Sequence, residues 1–370
     1  MSRIPIITGI GLVSPLATGA DATWRALLEG RYITQHARTV LDATSPTRVN
    51  TLALAAAREA VGDARWPSDD RAGAALVVGT SKGAVEGWLT APPQHISQST
   101  YDLAGVSCAD FGLASVAAAV REGLPLLDGP SLTLSAACSS GLHALIRAGM
   151  MIQSGEAERV LVVAAEASVH PLFIGSFQRL GVLPKEGIGC RPFDANRDGF
   201  LMSEAAAAVC LEGAETRPHE RIYARVDRFG MGGDATHLTG GDPEAKLLRR
   251  LLARVADNQP IDLVHAHGTG TVINDPIELR AIDETIAGEP NLISHKGALG
   301  HSLGAAGLVS IVLNCLSHAR GVVPPNVRTP EPLPATHVRI ARDAVSRPIR
   351  KSLAIAAGFG GPVAVVGLRS

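Results

Sequence analysis

Four residues can do chemistry together. Cys138 stands in "LTLSAACSSGLHAL" (132–145), where a run of β-type residues gives way to a helical pattern at Leu142, Leu145 and Ile146. A thiol at a helix start faces free backbone N–H groups and the positive end of the helix dipole, which favour a thiolate and can hold an oxyanion. His267 stands in "HAHGTGTVINDPIEL" (265–279), where a strand runs into a loop of small residues and Asp275-Pro276 reads as the cap and first position of a helix. Lys296 and His301 stand in "SHKGALGHSLGAAGLVSIVL" (294–313), a Gly-rich loop that leads into an apolar helix. A cation and an imidazole there cost free energy unless paired or used.

Each has a plainer reading. A cysteine is more often a small buried hydrophobe than a nucleophile, and Cys108, Cys190, Cys210 and Cys315 are read that way. His265, His295 and His318 are read as hydrogen-bonded core or surface histidines. A cysteine with a distant histidine also fits cysteine proteases and other acyl-transfer enzymes. A second histidine and a lysine exceed what a hydrolase needs.

The surrounding chain must position these groups. It has 370 residues, enough for two modules or one large α/β domain. With 46% hydrophobic and 19% charged residues, a packed globular protein is expected. A net charge of −1 does not indicate a strongly basic face for nucleic acid, although a neutral total can hold a local patch. Five cysteines, none in CxxC spacing, argue against a disulfide framework or zinc site and for a reducing, cytoplasmic setting. No Walker loop, dinucleotide glycine spacing or metal-ligand spacing occurs. The glycines and prolines of "MSRIPIITGIGLVSPL" read as a strand and loop rather than a signal peptide, and no run of 18 apolar residues suggests a membrane span.

Strands are expected at 4–11, 74–80, 131–137, 159–167, 205–213, 221–230, 263–270, 291–297, 351–360 and 362–368. Helices are expected at 21–29, 50–63, 110–122, 140–153, 244–256, 276–287 and 303–318, the last apolar nearly all round and so buried between layers. Strands alternating with helices argue for parallel βαβ units. The order rhymes: each half opens with a strand ending in Gly, places a buried-looking helix after its third strand, and closes on two adjacent strands. Two similar halves, 1–215 with the cysteine and 216–370 with both histidines and the lysine, are joined near 213–221.

Taken in order, "ITGIGLVSPLATG", "CRPFDANRDGFLMSEAAAAVCLE" (190–212), "HGTGT..NDPIE", "K....GH..GAAG" and the terminal "GFGG" resemble the β-ketoacyl-acyl-carrier-protein synthases of the thiolase-fold superfamily, the elongating type, over nearly the whole chain. The resemblance implies two βαβαβαββ halves stacked in five α-β-α-β-α layers. It implies that Cys138 takes an acyl chain from a carrier thioester. His267 and His301 then bind the malonyl thioester carbonyl and stabilise the enolate left by loss of CO₂, with Lys296 as electrostatic support. The amides of Cys138 and Phe359 form the oxyanion hole. Phe359 gates the site on a loop whose Gly358, Gly360 and Gly361 let it move. Glu204, Asp275, Thr269 and Thr271 support the site, and Arg48 contacts an acidic carrier. No metal or organic cofactor is implied, the phosphopantetheine arm belonging to the acyl carrier protein. A homodimer is implied, or a heterodimer with a ketosynthase-like subunit; in the latter case the chain could instead be a chain-length-factor-like or decarboxylating partner. The chain departs from the family pattern at Ser310, where a Glu usually pairs with the lysine, and at Ala357, where a Phe is usual. Residues 202–208 carry alanines for three usual glycines, and 31–48 and 88–110 are short.

Overall fold

The computed structural model describes residues 3–42, 47–90, 112–125, 128–216, 219–237 and 240–370. Cys108, positions 43–46 and 91–110 of the two shortened regions, and the first two residues of the helix expected at 110–122 lie outside the described residues.

The strands are β1 (Pro5–Val13), β2 (Ala75–Gly79), β3 (Ser131–Leu134), β4 (Arg159–Glu166), β5 (Ala205–Gly213), β6 (Ala224–Gly233), β7 (Leu263–His265), β8 (Asn291–Ile293), β9 (Val322–Val323), β10 (Arg339–Ile340), β11 (Val345–Ser346), β12 (Lys351–Ala357) and β13 (Pro362–Arg369). The helices are α1 (Ala20–Leu28), α2 (Arg48–Ala64), α3 (Ser68–Ala72), α4 (Val85–Thr90), α5 (Ala114–Gly123), α6 (Ser140–Ser154), α7 (Pro171–Arg179), α8 (Lys246–Ala256), α9 (Asn274–Thr285), α10 (Lys296–Leu299) and α11 (Ala306–Arg320).

Eleven strands run in the order β10-β8-β7-β12-β13-β6-β1-β5-β4-β2-β3. Cut between β6 and β1, this gives two sets with one plan: first strand, last, penultimate, second, third. The sets touch only through Ile6↔Arg225 and Ile7↔Ala224. The closing pairs, β4 with β5 and β12 with β13, are antiparallel, while β2–β4 and β7–β12 are parallel. Strands β2 and β5 are buried along their whole length, which their unbroken apolar runs require of strands covered on both faces.

Helices α6 and α11 fill the space between the two sets. Helices α2 and α5 cover the outside of the first, and α8 and α9 the outside of the second. These are the five layers of the thiolase fold. Segment Leu303–Arg320 is apolar enough by composition to cross a membrane, yet it is the middle layer and 83% buried inside the protein.

All ten expected strands are present, but four end early. Those at 131–137, 263–270, 291–297 and 351–360 stop at Leu134, His265, Ile293 and Ala357. Beyond those points the chain leaves the sheet and carries the reactive side chains. Helix α7 was not foreseen because "PLFIGSFQR" contains Pro and Gly. Its Pro is the first helical residue, and His170 caps it by accepting Leu172 N–H at 3.2 Å.

Candidate active site

Cys138 sits at the turn from β3 to α6, one residue before the helix cap Ser139. Ala137 holds φ +48°, a left-handed conformation uncommon for a residue with a Cβ. This is a tight turn that presents the thiol at the helix start. The thiol is flanked by the apolar group Ile33, Phe200, Leu201, Met202 and Leu303, with Phe173, Ile174 and Phe177 of α7. Burial pushes it up to about 11, opposed first by the Lys82 ammonium and then by that of Lys296.

The loop after β12 lies hard against this turn. A Cβ at Gly358 would stand 2.9 Å from Ala137 Cβ and 3.0 Å from Cys138 N. Gly361 holds φ +91°, and a Cβ there would stand 1.7 Å from Asp234 O. At Gly358 and Gly361 a glycine is required sterically, since no other residue lets the backbones come so close. Between them Phe359 starts a chain of rings: Phe359–Phe177 at 6.2 Å, Phe177–Phe200 at 5.6 Å, Phe200–His301 at 4.9 Å and His301–His267 at 5.5 Å between centroids.

The structure therefore brings His267 and His301 edge to face. Both are buried, and both imidazoles are held well below the usual histidine range, by burial first and the Lys296 charge second. They are neutral near pH 7. His301 has a defined tautomer: Leu303 N–H donates to its Nδ1 at 3.2 Å, so the ring proton is on Nε2. The 301 segment is clamped by Met202, through His301 N–H to Leu201 O and Ser203 N–H to His301 O.

Lys296 is buried, and its ammonium donates to the His267 carbonyl. Burial lowers its basicity; the Glu278 carboxylate is the largest influence raising it. Glu278 was within the quoted "NDPIE" but was not singled out. It accepts His267 N–H at 2.6 Å and Gly268 N–H at 2.8 Å, and burial pushes it up to about 7. Ser310, in place of the family's usual Glu, does not meet Lys296; its hydroxyl bonds Ala306 O at 3.3 Å and lies 3.5 Å from His295 Nδ1.

Asp275 is not the helix cap expected. Helix α9 starts at Asn274 after Ile273, with no side-chain cap. Asp275 is turned inward instead, accepting Phe193 N–H at 2.8 Å and Gly270 N–H at 3.0 Å, with Thr269 Oγ1 at 3.5 Å. Thr269 and Thr271 hydroxyls bond each other at 3.0 Å. The carboxylate thus fixes the Gly-Thr-Gly-Thr loop, because a buried Asp takes the orphan amides nearest it.

Arg48 is not on a docking face. It is 4% exposed and its Nε donates to Glu204 at 2.7 Å, with Nη2 on Thr39 Oγ1 at 3.0 Å. An internal carboxylate captured the guanidinium. Glu204 supports the site only indirectly, through the 201–204 stretch beside His301.

His265 is a core histidine, with Nδ1 3.0 Å from Asn314 Oδ1 and Nε2 2.9 Å from His295 Nδ1. Cys190, Cys210 and Cys315 are buried, and Cys190 Sγ donates to Thr269 O at 3.5 Å. Glu166, at the end of β4, had no sequence signal beyond an acid in an apolar strand. Fully buried, it accepts Ser81 N–H at 2.9 Å, Ser81 Oγ at 2.6 Å, Ser168 Oγ at 2.8 Å and Gly304 N–H at 3.2 Å. It ties the loop after β2 to the segment after His301. Among the described residues, no cluster has metal-ligating composition.

A thiol at a helix start, joined through the Phe200 ring and its apolar neighbours to two imidazoles that offer N–H rather than charge, suits acyl transfer to sulfur and stabilisation of an oxyanion. Comparison with known proteins defines the class further. The models for the N-terminal and C-terminal domains of beta-ketoacyl synthases match residues 40–217 and 223–329. The chain is 30% identical over 432 residues to a 3-oxoacyl-[acyl-carrier-protein] synthase 2 of Rhizobium meliloti, covering 100% of this chain and 99% of that protein. Among solved structures, it is similar to a type II polyketide ketosynthase in complex with its acyl-carrier protein (TM-score 0.85, 25% identity, all of both chains). It is also similar to the ishigamide ketosynthase/chain length factor (TM-score 0.86, 26% identity, all of both chains). The chain belongs to the beta-ketoacyl synthase family, and it is a condensing acyltransferase of fatty-acid or polyketide synthesis.

Proposed function

We propose that this enzyme elongates an acyl chain held on Cys138 with a malonyl unit, both delivered by an acyl carrier protein. The observation that carries the reading is the neutral pair His267/His301, with the His301 proton fixed on Nε2. In the first half-reaction the Cys138 sulfur bonds the acyl carbonyl, the carrier C–S bond breaks, and the carrier thiol leaves with the proton of the cysteine. The Cys138 and Phe359 amides receive the carbonyl oxygen. In the second, the malonyl C–C bond breaks to release CO₂, and the electron pair becomes an enolate whose oxygen accepts from the two imidazoles. The enolate carbon attacks the acyl-Cys138 carbonyl. The C–S bond then breaks, and the sulfur takes a proton from solvent.

Lys296 and Glu278 hold the loop that carries His267; neither needs to touch substrate. Thr269 and Thr271 support that loop, their hydroxyls bonded to each other at 3.0 Å. The chemistry requires no metal or organic cofactor of the protein's own. The enzyme works as a homodimer, with a ketosynthase-like heterodimer as the other arrangement.

Intact-mass analysis tests this. Acyl-carrier incubated with the protein is expected to add one acyl mass, Cys138→Ala none, and malonyl-carrier then to yield a β-ketoacyl product. No adduct at any acyl length refutes elongation. Release of CO₂ without an adduct supports the partner-subunit role instead.

A further inference from the structure

We infer that Lys82 makes the site around Cys138 selective for acyl groups that carry a carboxylate. The inference deepens the reading of Cys138 as the acyl acceptor and rests on it. Lys82 lies in the turn after β2. Its Nζ is 2.9 Å from Ser81 Oγ and sits over the face of Phe173, 5.1 Å from the ring centroid. Phe173 belongs to the same apolar group that flanks Cys138, together with Phe177, Phe200 and Leu303. The ammonium therefore sits over a ring of the same apolar group against which Cys138 packs.

Two features separate it from a solvated surface lysine. The first is its anchorage. Ser81 is fixed by two bonds to buried Glu166, and the Phe173 face gives the cation a seat. The second is its missing counter-ion. Glu166 already accepts four donors, and the described contacts of Lys82 Nζ are the Ser81 hydroxyl and the Phe173 ring, with no carboxylate in an ion pair among the described residues. An ammonium has three donors, and one hydroxyl leaves two for a ligand. The charge also reaches the reacting atoms: of the two ammonium groups acting on the Cys138 sulfur Lys82 acts more strongly, and it acts on His301 as well. A half-buried cation on an aromatic wall is poorly matched to a purely hydrocarbon chain. It fits the half-thioester of a dicarboxylic acid, whose carboxylate can bond Nζ while the methylenes lie on Phe173.

The experiment uses the intact protein and two alkylating reagents of similar size, anionic iodoacetate and neutral iodoacetamide, with labelling at Cys138 read by mass spectrometry. Lys82→Gln is expected to lower the iodoacetate-to-iodoacetamide rate ratio about fivefold, the strength of one part-exposed ion pair, and Lys82→Arg to keep it. The same drop is expected in the ratio of acylation by succinyl-carrier to butyryl-carrier. A ratio unchanged by Lys82→Gln overturns the inference, including the case where both reagents slow equally, which shows that Lys82 serves the sulfur alone. If neither reagent labels Cys138 in the folded wild type, the nucleophile reading fails and this one falls with it.

Discussion

The tautomer of His301 makes a prediction that separates two ways of stabilising an enolate. If Nδ1 accepts Leu303 N–H and the ring stays neutral, His301 works as an N–H donor and not as a proton source. Glutamine can place an amide N–H near the position of an imidazole Nε2 but carries no titratable proton. His301→Gln is therefore expected to keep much of the decarboxylation rate, whereas His301→Ala loses it. Removing one preorganised donor from a developing oxyanion costs roughly 2.7–4 kcal/mol, or about 10²–10³ in rate. The Gln variant should fall short of the wild type by about tenfold, since its amide is less rigidly held. The assay is CO₂ release from malonyl-carrier at saturation, followed from pH 5.5 to 8.5, with acylation of Cys138 measured separately by mass. Acylation should survive in both variants. His301 should contribute no limb near pH 6.5, because burial and the Lys296 charge hold it well below its ordinary value; a limb near pH 7 from Glu278 should persist in His301→Gln. A limb at pH 6–7 that disappears in His301→Gln, or a Gln variant as inactive as Ala, refutes the neutral-donor argument.

Three further outcomes follow from single contacts. Arg48→Ala leaves the buried Glu204 carboxylate with only the longer Arg38 ion pair at 3.7 Å and the Thr39 N–H at 3.2 Å and should cost about 1.5–3 kcal/mol in denaturant unfolding, while carrier affinity of the folded variant is unchanged; a selective loss of carrier binding would contradict the burial of Arg48. Gly358→Ala must push the 358–361 loop off the Cys138 turn, so single-turnover acylation should slow on the order of a hundredfold through the displaced oxyanion amide; a wild-type rate would show that the loop yields without cost. His318, between the hydroxyls of Ser370 and Ser352 at 2.9 Å each, is lowered to about 4 by burial. Its contribution is fully present above the unfolded value near 6.5 and is lost as pH falls toward 4, so His318→Gln should gain about 2 kcal/mol on the wild type between pH 7.5 and pH 5 in urea unfolding; an equal difference at both pH values refutes it.

The layers were legible because buried parallel strands carry unbroken apolar runs and the two halves repeat one order. Cys138, His267 and His301 were legible for a related reason: each stands in a stretch of small residues that follows a strand, where the chain leaves the sheet. What sequence could not supply was partner choice. Arg48 looks like any basic residue near a helix start until the fold brings Glu204, 156 positions away, to 2.7 Å. Asp275 carries a cap signature, yet Phe193 and Gly270 compete for its oxygens and win, because their amides are buried and have no other acceptor nearby. Glu278 and Glu166 gave little signal because acids are common, and only burial distinguishes a structural carboxylate from a solvated one. Lys82 was invisible for the same reason in reverse.

These carboxylates and cations share one consequence. Charge in this site is kept one contact away from the chemistry. Glu278 holds the backbone of His267 and Gly268, Glu166 the backbone of Gly304, and Lys296 the carbonyl of His267. The imidazoles between them stay neutral because a nearby ammonium and burial act in the same direction. That arrangement suits a reaction whose negative charge appears only in passing. A fixed cation at the enolate position would bind the malonyl carboxylate in the ground state and oppose its loss, whereas a neutral N–H gains most when the oxyanion forms. Lys82, the ammonium that acts most strongly on the thiol, sits over the Phe173 ring, where it can meet a charge on the acyl chain.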